Sequence, residues 1–376
     1  MRRILVVGGS IAAVTAAGAL RAEGYDGEVV VASAETVPPY SRVPLSKGVL
    51  AGTETPQSTA LPTLPDDIEL RLGCRARSVD IAGREVVTTA GDRIGYDGLV
   101  IATGSSARRL AAPGQLGERT VRDLGDAVGL AEAAGTARSA VVVGGGFLGM
   151  EVASTLCARG LQVTVVDLVP HLRRLLGPGL TDMVCTRARE RGVRLLVADS
   201  DVRLQGSPVR AVLLDGSRRI EADLVVTAAG DRPNVAWLAG THLPVHAEGL
   251  LTDETGRVVP GVVAAGDVTC TLRQGRRCRS PHWTNAVNHG RTAALALLGL
   301  PVRARHDAYF WTSMFGLDIK LSGTPDRTVV PTVLEGDLAS GSALLRWNNP
   351  DGTAAAASVN RRIPVGRLRQ LAGEAA

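Results

Sequence analysis

The sequence predicts an α/β protein in which one strand-turn-helix-strand motif occurs twice, far apart in the chain. Two observations lead to this fold class. An apolar strand near the N-terminus runs into a turn of small residues and then a helix, and the same order recurs from Ser139 onward. Helices and strands that alternate in this way are typical of parallel sheets covered by helices.

The first motif begins at the N-terminus. The run RILVV at 3–7 has the composition of a buried strand, and residues 8–13 are small enough for a tight turn. Residues 11–23 have helical composition up to Gly24, and a second strand is predicted at 28–32.

The second motif repeats this order. A strand at 139–143 leads into a glycine-rich turn at 144–149, a helix at 148–159 and a strand at 162–167. The spacing between the two motifs indicates one supersecondary unit used twice, not a tandem solenoid repeat.

The remaining segments are less regular. A proline-rich segment at 36–66 is expected to be a functional loop or a linker. Short strands are predicted around 84–101, 209–214 and 222–227. A third region begins near Pro301 and has a mixed, strand-like composition.

The bulk composition excludes several classes of protein. At 376 residues, with 45% hydrophobic and 21% charged residues, the chain is large enough for two or three domains with buried cores. The apolar run after the N-terminal arginines is about five residues, too short for a signal sequence or a membrane span. We therefore expect a soluble, cytoplasmic protein with no membrane partner.

Aromatic residues make up only 3% of the chain, which disfavours a nucleic-acid partner. The alanine run at 354–357 is the only low-complexity segment.

The second turn has the composition of a dinucleotide-binding site. Gly144, Gly146 and Gly149 have G-x-G-x-x-G spacing between a strand and a helix, and Asp167 ends the next strand. A pyrophosphate needs backbone N–H groups at close approach and the positive end of a helix, which such a turn provides. The acid accepts a hydrogen bond from a ribose hydroxyl.

The first turn fits the same pattern more loosely. Gly8, Ser10 and Ala13 occupy the three glycine positions, and Glu35 is the only acid near the end of the second strand. Two such motifs in one chain predict two dinucleotides, one a flavin and the other a nicotinamide.

Asp167 also bears on the choice of nicotinamide cofactor. A carboxylate facing the ribose favours a 2′-hydroxyl and repels a 2′-phosphate, which predicts NADH over NADPH. Arg173 and Arg174 lie close by in sequence and are the argument for NADPH.

A wider set of motifs spans nearly the whole chain: VVGGSIAAVTAA, PYSRVPLSKGVLAG, YDGLVIATG, VVVGGGFLGMEVA, GDRPN, VVAAGDV, PHWTNAVNHGRTAA and YFWTSMFGLDIKLSG. In content and order this set resembles the FAD-dependent ferredoxin and rubredoxin reductases of oxygenase systems. The segment WTSMFG lacks the acidic residue that is often found there in the family.

The resemblance implies a domain organisation. Two Rossmann-like dinucleotide-binding domains are expected, followed by a C-terminal α+β domain of the reductase and dimerisation type. The FAD-binding domain would comprise 1–111 and 232–300, the NAD-binding domain 112–231, and the C-terminal domain 301–376.

The resemblance also implies site residues. Those implied to hold FAD are Gly8, Ser10, Ala13, Glu35, Arg42, Lys47, Ala76, Ala102, Arg122, Asp267 and Trp283. Those implied to face NAD, beside Gly144 and Gly149 of the second turn, are Gly146, Phe147, Leu148, Glu151, Asp167 and Gly230.

Lys47 is unusual in this composition. Of the 42 basic residues, only Lys47 and Lys320 are lysines. In the family that the chain resembles, the matching lysine pairs with a glutamate that matches Glu151, beside the flavin. A compact ammonium fits where a planar guanidinium does not. The resemblance therefore implies that Lys47 and Glu151 are a catalytic pair; the alternative is a solvated loop lysine.

The implied reaction is hydride transfer from NADH to the flavin. The electrons would then leave singly to a small acidic iron–sulfur protein, a ferredoxin, that feeds an oxygenase. Arginines that are candidates for docking such a partner, or are simply solvated, are Arg108, Arg109, Arg273, Arg276, Arg277 and Arg279.

Two other functions stay open at this point. A flavin disulfide or peroxide reductase of similar fold would need a redox cysteine in the loop at 41–45, which here reads SRVPL. A signalling flavoprotein would bind NADH without passing electrons on. None of the five cysteines forms a CxxC pair or a zinc-like cluster with histidine, so no metal is expected.

Overall fold

A computed structural model describes residues 1–273, 275–302 and 309–373, except that the side chain of Arg273 is not described. Contacts divide the chain into two compact units. The first unit comprises Met1–Ser41, Thr59–Ser106 and Asp231–Asp307, and the second comprises Arg42–Ser58, Ala107–Gly230 and Ala308–Ala376.

The described residues form helices and strands that we number in chain order. Helices α1 to α6 are Ile11–Ala22, Leu124–Ala134, Phe147–Ala158, Arg173–Glu190, Trp283–Leu297 and Val365–Leu371. Strands β1 to β28 are Arg3–Val7, Glu28–Ala32, Ile68–Arg71, Ala76–Asp80, Glu85–Thr88, Arg93–Gly95, Gly98–Ile101, Ser105–Ala107, Glu118–Arg119, Ser139–Val143, Gln162–Asp167, Arg194–Val197, Val202–Gly206, Val209–Leu214, Arg218–Glu221, Leu224–Thr227, Asp231–Pro233, Val245–His246, Gly249–Thr252, Arg257–Val259, Val262–Ala264, Thr269–Arg273, Arg276–Cys278, Phe310–Met314, Leu317–Ser322, Thr332–Asp337, Ser342–Asn348 and Ala354–Val359. A π-helical turn spans Leu45–Val49, and 3-10 turns span Gln57–Thr59, Ala236–Leu238 and Gly266–Val268.

The first unit contains a six-stranded sheet in the order β20-β21-β7-β1-β2-β3. All neighbours are parallel except β20 and β21. Alanine-rich faces of α1 and α5 pack on one side of this sheet, in a core that includes Ala13, Ala16 and Ala293. Because β1 pairs with β2 and β7 in register, the carboxyl ends of these three strands meet at one edge.

The second unit contains a five-stranded parallel sheet in the order β12-β11-β10-β16-β9. The antiparallel strands β13 to β15 share a core with this sheet. The core includes Val141 and Val166 from the parallel sheet and Val212 from β14. The C-terminal part of the unit is an antiparallel sheet in the order β24-β25-β28-β27-β26, with α6 packed beside it.

The predicted fold class is confirmed, because both strand-turn-helix-strand motifs form parallel β-α-β motifs. The structure adds detail to the prediction at three places. The strand predicted at 222–227 begins at Leu224, because the Asp223 carboxylate accepts hydrogen bonds from the Arg138 and Ser139 backbones instead. The segment at 36–66 contains the π-helical turn, and the alanine run lies inside the buried strand β28. Among the described residues, no helix is both long and apolar enough to cross a membrane.

The contact between α1 and α5 gives a test of packing. A Cβ on Gly290 in α5 would lie 2.5 Å from the carbonyl oxygen of Ala12, whereas a Cβ on Gly18 in α1 would meet nothing within 4 Å. We expect Gly290→Ala to lower the free energy of unfolding by about 1–3 kcal/mol through overpacking. Gly18→Ala should raise it by roughly 0.5–1 kcal/mol, because alanine is the better helix former. Urea unfolding of both variants measures the difference, and equal midpoints would contradict the packing argument.

Candidate functional site

The first glycine turn joins β1 to α1 in the first unit. Gly8 has a φ of +138°, and a Cβ placed on it would lie 2.1 Å from the carbonyl oxygen of Ala102. Glycine is therefore required here by both backbone conformation and space. Ala102 directly follows β7, the neighbour of β1, so the turn joins the ends of two parallel strands.

The N-terminus of α1 has no side-chain cap. The Ser10 hydroxyl makes no capping hydrogen bond, and the first turn of the helix contains no acidic residue. The first backbone N–H groups and the positive end of the helix dipole are therefore available to an anion. Ala13, at the third glycine position, is fully buried.

Glu35 follows β2 and is oriented by a neighbouring tyrosine. Its Oε2 accepts a hydrogen bond from the Tyr40 hydroxyl at 2.5 Å, and its backbone carbonyl accepts one from the Gly73 N–H at 2.9 Å. Ala76, the predicted adenine contact, begins β4 and is half-buried.

Asp267 lies in the 3-10 turn after β21. A Cβ on Gly266 would lie 2.9 Å from the Cβ of Ala12 in α1, so the turn packs tightly on that helix. Arg279 donates from Nη2 to the backbone carbonyl of Asp267 at 2.7 Å. The same guanidinium donates to both carboxylate oxygens of Asp231, at 3.0 and 2.7 Å, which fixes its position.

Helix α5 begins at Trp283 and contacts the turn that carries Asp267. Oγ1 of Thr284 and Oδ1 of Asn285 are buried, and no hydrogen-bond partner for them lies in the described part of the chain. Buried polar atoms normally have partners, so a polar ligand fits this position. The uncapped α1 and these two atoms make the residues of the first unit a fit for FAD.

The second glycine turn joins β10 to α3 in the second unit. Gly144 has a φ of +114°, and a Cβ on it would lie 2.3 Å from the carbonyl oxygen of Ala228. A Cβ on Gly149 would lie 1.9 Å from the carbonyl oxygen of Gly144, whereas one on Gly146 would meet nothing closer than 3.9 Å. Gly146 is the N-cap of α3, which has no side-chain cap and no acid in its first turn. Gly144 and Gly149 thus allow close packing, and Gly146 leaves room for a pyrophosphate.

Asp167 ends β11 and binds the second glycine turn. Its Oδ2 accepts a hydrogen bond from the Gly145 N–H at 2.7 Å, and its Oδ1 accepts one from the Leu168 N–H at 2.7 Å. The carboxylate therefore stabilises the turn. Arg173 and Arg174 are exposed, and Arg173 lies 3.7 Å from Asp182.

His171 supports the same turn and was missed by the sequence reasoning. The imidazole is buried and occupies the space beside Gly145, where a Cβ would lie 2.5 Å from Cδ2 of the ring. Burial lowers the pKa of His171, while its hydrogen bond to the Val165 carbonyl and the nearby Asp167 partly offset that shift. The sequence feature that could have indicated His171 is its position four residues after Asp167. Its contact with the turn could not be predicted, because that contact depends on the fold of the intervening loop.

Lys47 and Glu151 form an ion pair within the second unit. Nζ of Lys47 lies 2.7 Å from Oε2 of Glu151, whose side chain is 10% exposed. The same oxygen accepts a hydrogen bond from the Ser46 hydroxyl at 2.6 Å, and Oε1 accepts one from the Thr312 hydroxyl at 2.6 Å. Sequence reasoning missed Ser46 and Thr312, because neither residue type marks a site and Thr312 is far from Glu151 in the chain.

The other predicted residues of the second unit lie near the starts of α2 and α3 or, in the case of Gly230, after β16. Arg42 donates to the backbone carbonyl of Arg122 at 2.7 Å, just before α2. The Phe147 ring lies 4.2 Å from that of Phe310, measured between centroids. Leu148 is 38% exposed. Gly230 has a φ of +95°, with open space where a Cβ would stand.

The structure groups the predicted site residues into two sets. The first unit holds Gly8, Ser10, Ala13, Glu35, Ala76, Ala102, Asp267 and Trp283. The second unit holds Arg42, Lys47, Arg122, Gly144, Gly146, Phe147, Leu148, Gly149, Glu151, Asp167 and Gly230. Three residues implied to hold FAD, Arg42, Lys47 and Arg122, thus belong to the unit that carries the second glycine turn.

The candidate docking arginines are not equivalent. Arg279 is held by Asp231, Arg277 pairs with Glu248 at 3.0 Å, and Arg109 lies 3.8 Å from Glu118. Two of the candidate arginines, Arg108 and Arg276, are exposed and have no ion pair within the described structure. The side chain of Arg273 lies outside the described structure.

Four of the five cysteines have thiols that burial makes harder to ionise. Burial raises the pKa of the thiols of Cys74, Cys157, Cys185 and Cys270, which disfavours the thiolate that such chemistry needs. This observation argues against the disulfide reductase alternative.

Comparison with known proteins identifies the family. The model of the family described as pyridine nucleotide-disulphide oxidoreductase matches residues 2–290. The chain belongs to this family. It is 35% identical over 367 residues to the ferredoxin–NAD(+) reductase component of the biphenyl dioxygenase system of Paraburkholderia xenovorans, covering 94% of this chain and 89% of that protein.

Solved structures of related enzymes have the same fold. The ferredoxin reductase for the CYP199A2 system of Rhodopseudomonas palustris matches with a TM-score of 0.90 and 27% identity, covering 100% of this chain and 96% of the other. The covalent complex of putidaredoxin reductase with putidaredoxin matches with a TM-score of 0.88 and 28% identity, covering 99% and 92%. This family member is thus an oxidoreductase that uses FAD and a nicotinamide dinucleotide.

Acid should destabilise the protein through His171. Because burial lowers its pKa, the unfolded chain binds a proton that the folded protein does not, and the free energy of unfolding falls as the pH drops through about 6.5. His171→Gln lacks this titration, so its melting temperature should fall less than that of the wild type between roughly pH 8 and pH 5.5. His246→Gln, on β18 in the first unit, is the control. Parallel curves for wild type and His171→Gln would contradict the expectation.

Proposed function

We propose that this chain is an FAD-dependent reductase that takes hydride from NADH and passes electrons singly to a small acidic iron–sulfur protein, a ferredoxin, which supplies an oxygenase. The observation that carries the proposal is the pair of glycine turns with uncapped helices, one in each unit. Two such turns support the binding of two dinucleotides. The partner is proposed from the relatives, one a component of a dioxygenase system and another solved in complex with putidaredoxin.

In this proposal the first unit holds FAD. The N–H groups at the start of α1, with Gly8 and Ser10, face the pyrophosphate, and Glu35 accepts a hydrogen bond from the ribose. Asp267, braced by Arg279, binds the ribityl chain. When bound, FAD supplies a group that accepts two electrons and releases them one at a time. One NADH then reduces two one-electron carriers, and NAD⁺ and a proton are released.

The second unit, in the same proposal, holds NADH at Gly144–Gly149 and carries the pair that acts in flavin reduction. Lys47 is the catalytic cation and Glu151 its counter-ion, since a buried carboxylate needs a compensating charge. The expected division into an FAD-binding domain, an inserted NAD-binding domain and a C-terminal domain stays a prediction, as does a cytoplasmic location.

Asp167 should make NADH the preferred donor. We expect kcat/KM to be higher with NADH than with NADPH, because the carboxylate repels a 2′-phosphate. Asp167→Asn keeps an acceptor for the Gly145 N–H but loses the charge, so the NADH:NADPH ratio of kcat/KM should fall about tenfold, or ~1.4 kcal/mol. Glu132→Gln, which neutralises an exposed carboxylate of α2 in the same unit, is the matched control. A wild-type preference for NADPH would overturn the assignment of Asp167.

Electron delivery to a ferredoxin tests the proposed function directly. With NADH, a plant-type or vertebrate-type [2Fe–2S] ferredoxin and cytochrome c, the FAD-loaded protein should reduce cytochrome c at a rate that depends on the ferredoxin concentration. Raising the ionic strength should lower kcat/KM for the ferredoxin, because its acidic surface is attracted to a basic protein. NADH binding and flavin reduction without turnover by any ferredoxin would instead favour the signalling alternative.

A further inference from the structure

The Glu151 carboxylate is bound by side chains from two other elements besides its own helix. Ser46 and Lys47 reach Oε2 from the π-helical turn, and Thr312 reaches Oε1 from β24. Both hydroxyl contacts are 2.6 Å long, in the range of charge-assisted O–H···O⁻ bonds. One carboxylate oxygen thus accepts from a single hydroxyl, and the other accepts from a hydroxyl and contacts the ammonium.

Hydrogen bonds to α3 hold the two backbone segments that carry Ser46 and Thr312. The Thr155 hydroxyl donates to the Ser46 carbonyl at 2.8 Å. The Ser154 hydroxyl accepts a hydrogen bond from the Phe315 N–H at 2.7 Å, in the turn that follows β24. Thr312 itself is fully buried within that strand. The hydroxyls therefore have fixed positions from which to orient the carboxylate.

A glutamate carboxylate does not orient itself. Rotation about its last side-chain bond has a broad, soft energy profile, so hydrogen bonds decide which way the oxygens point. The hydroxyl of Thr312 holds Oε1, and this contact turns Oε2 toward Lys47. Because Glu151 is buried, a donor that is lost from Oε1 is not replaced by bulk water.

We propose that Thr312 and Ser46 are positioning residues, which orient the Glu151 carboxylate so that it holds the Lys47 ammonium where it acts in flavin reduction. The inference rests on the proposed function of Lys47. It assigns the C-terminal sheet a part in the redox step, through one hydroxyl on its edge strand β24.

The test uses variants that change one hydroxyl at a time in the FAD-loaded protein. Thr312→Val keeps the shape of the side chain and removes the hydroxyl, and Thr312→Ser restores the hydroxyl. Ser313→Ala, at the exposed next position of the same strand, is the matched control. Anaerobic stopped-flow mixing with NADH gives the limiting rate of flavin reduction and the apparent Kd for NADH. Dye-coupled titration gives the flavin midpoint potential, and the melting temperature reports on folding.

Thr312→Val should lower the limiting rate about tenfold with little change in the apparent Kd for NADH. The midpoint potential should shift in the same direction as in Lys47→Met. Thr312→Ser and Ser313→Ala should match the wild type, and Ser46→Ala should resemble Thr312→Val. A wild-type rate and potential in Thr312→Val would overturn the inference, as would a slow Thr312→Ser.

A double-mutant cycle separates positioning from a general structural effect. If Thr312 acts through Lys47, adding Thr312→Val to Lys47→Met should not slow flavin reduction further. An equal slowing in both backgrounds would overturn the proposal. If Lys47→Met alone reduces at the wild-type rate, the proposed function of Lys47 fails. If Lys47→Met is slow and Thr312→Val is not, only the positioning inference fails.

Discussion

Both candidate binding sites depend on the close approach of a glycine turn to the end of the neighbouring strand. At Gly8 and at Gly144 a Cβ would overlap the carbonyl oxygen of the residue after the adjacent parallel strand. This approach sets where the following helix starts, and in both motifs that helix begins without a side-chain cap. The same backbone constraint thus produces two candidate anion sites from quite different side chains, GGSIAA and GGGFLG.

The regular parts of these motifs could be predicted from the sequence. The strands Arg3–Val7, Glu28–Ala32, Ser139–Val143 and Gln162–Asp167 occur where apolar, β-branched runs predict them, because both faces of a parallel sheet are buried. The glycine spacing predicted the second turn for the same local reason. Such features depend on neighbours within a few residues, so a single sequence contains the information.

Contacts between distant parts of the chain could not be predicted in this way. Thr312 is 161 residues from Glu151, and Ser46 is 105 residues from it. Arg279 resembled a docking residue in sequence, yet it pairs with Asp231, 48 residues away. The alanine run resembled a low-complexity segment, but Ala355, Ala356 and Ala357 are buried in β28, between β25 and β27, where small side chains suit the packing. In each case the residue type is common on protein surfaces, and only the tertiary partner gives it a role.

The geometry around Glu151 favours a lysine at position 47, in a chain where all but two of the 42 Lys and Arg residues are arginine. A guanidinium binds a carboxylate best through two parallel hydrogen bonds, one to each oxygen. Here Oε1 accepts from Thr312 and Oε2 from Ser46, so a guanidinium fork would have to share both oxygens with hydroxyl donors. A single ammonium can share Oε2 with the Ser46 hydroxyl, as Lys47 does at 2.7 Å. The two hydroxyls that orient the carboxylate therefore also favour lysine over arginine at position 47.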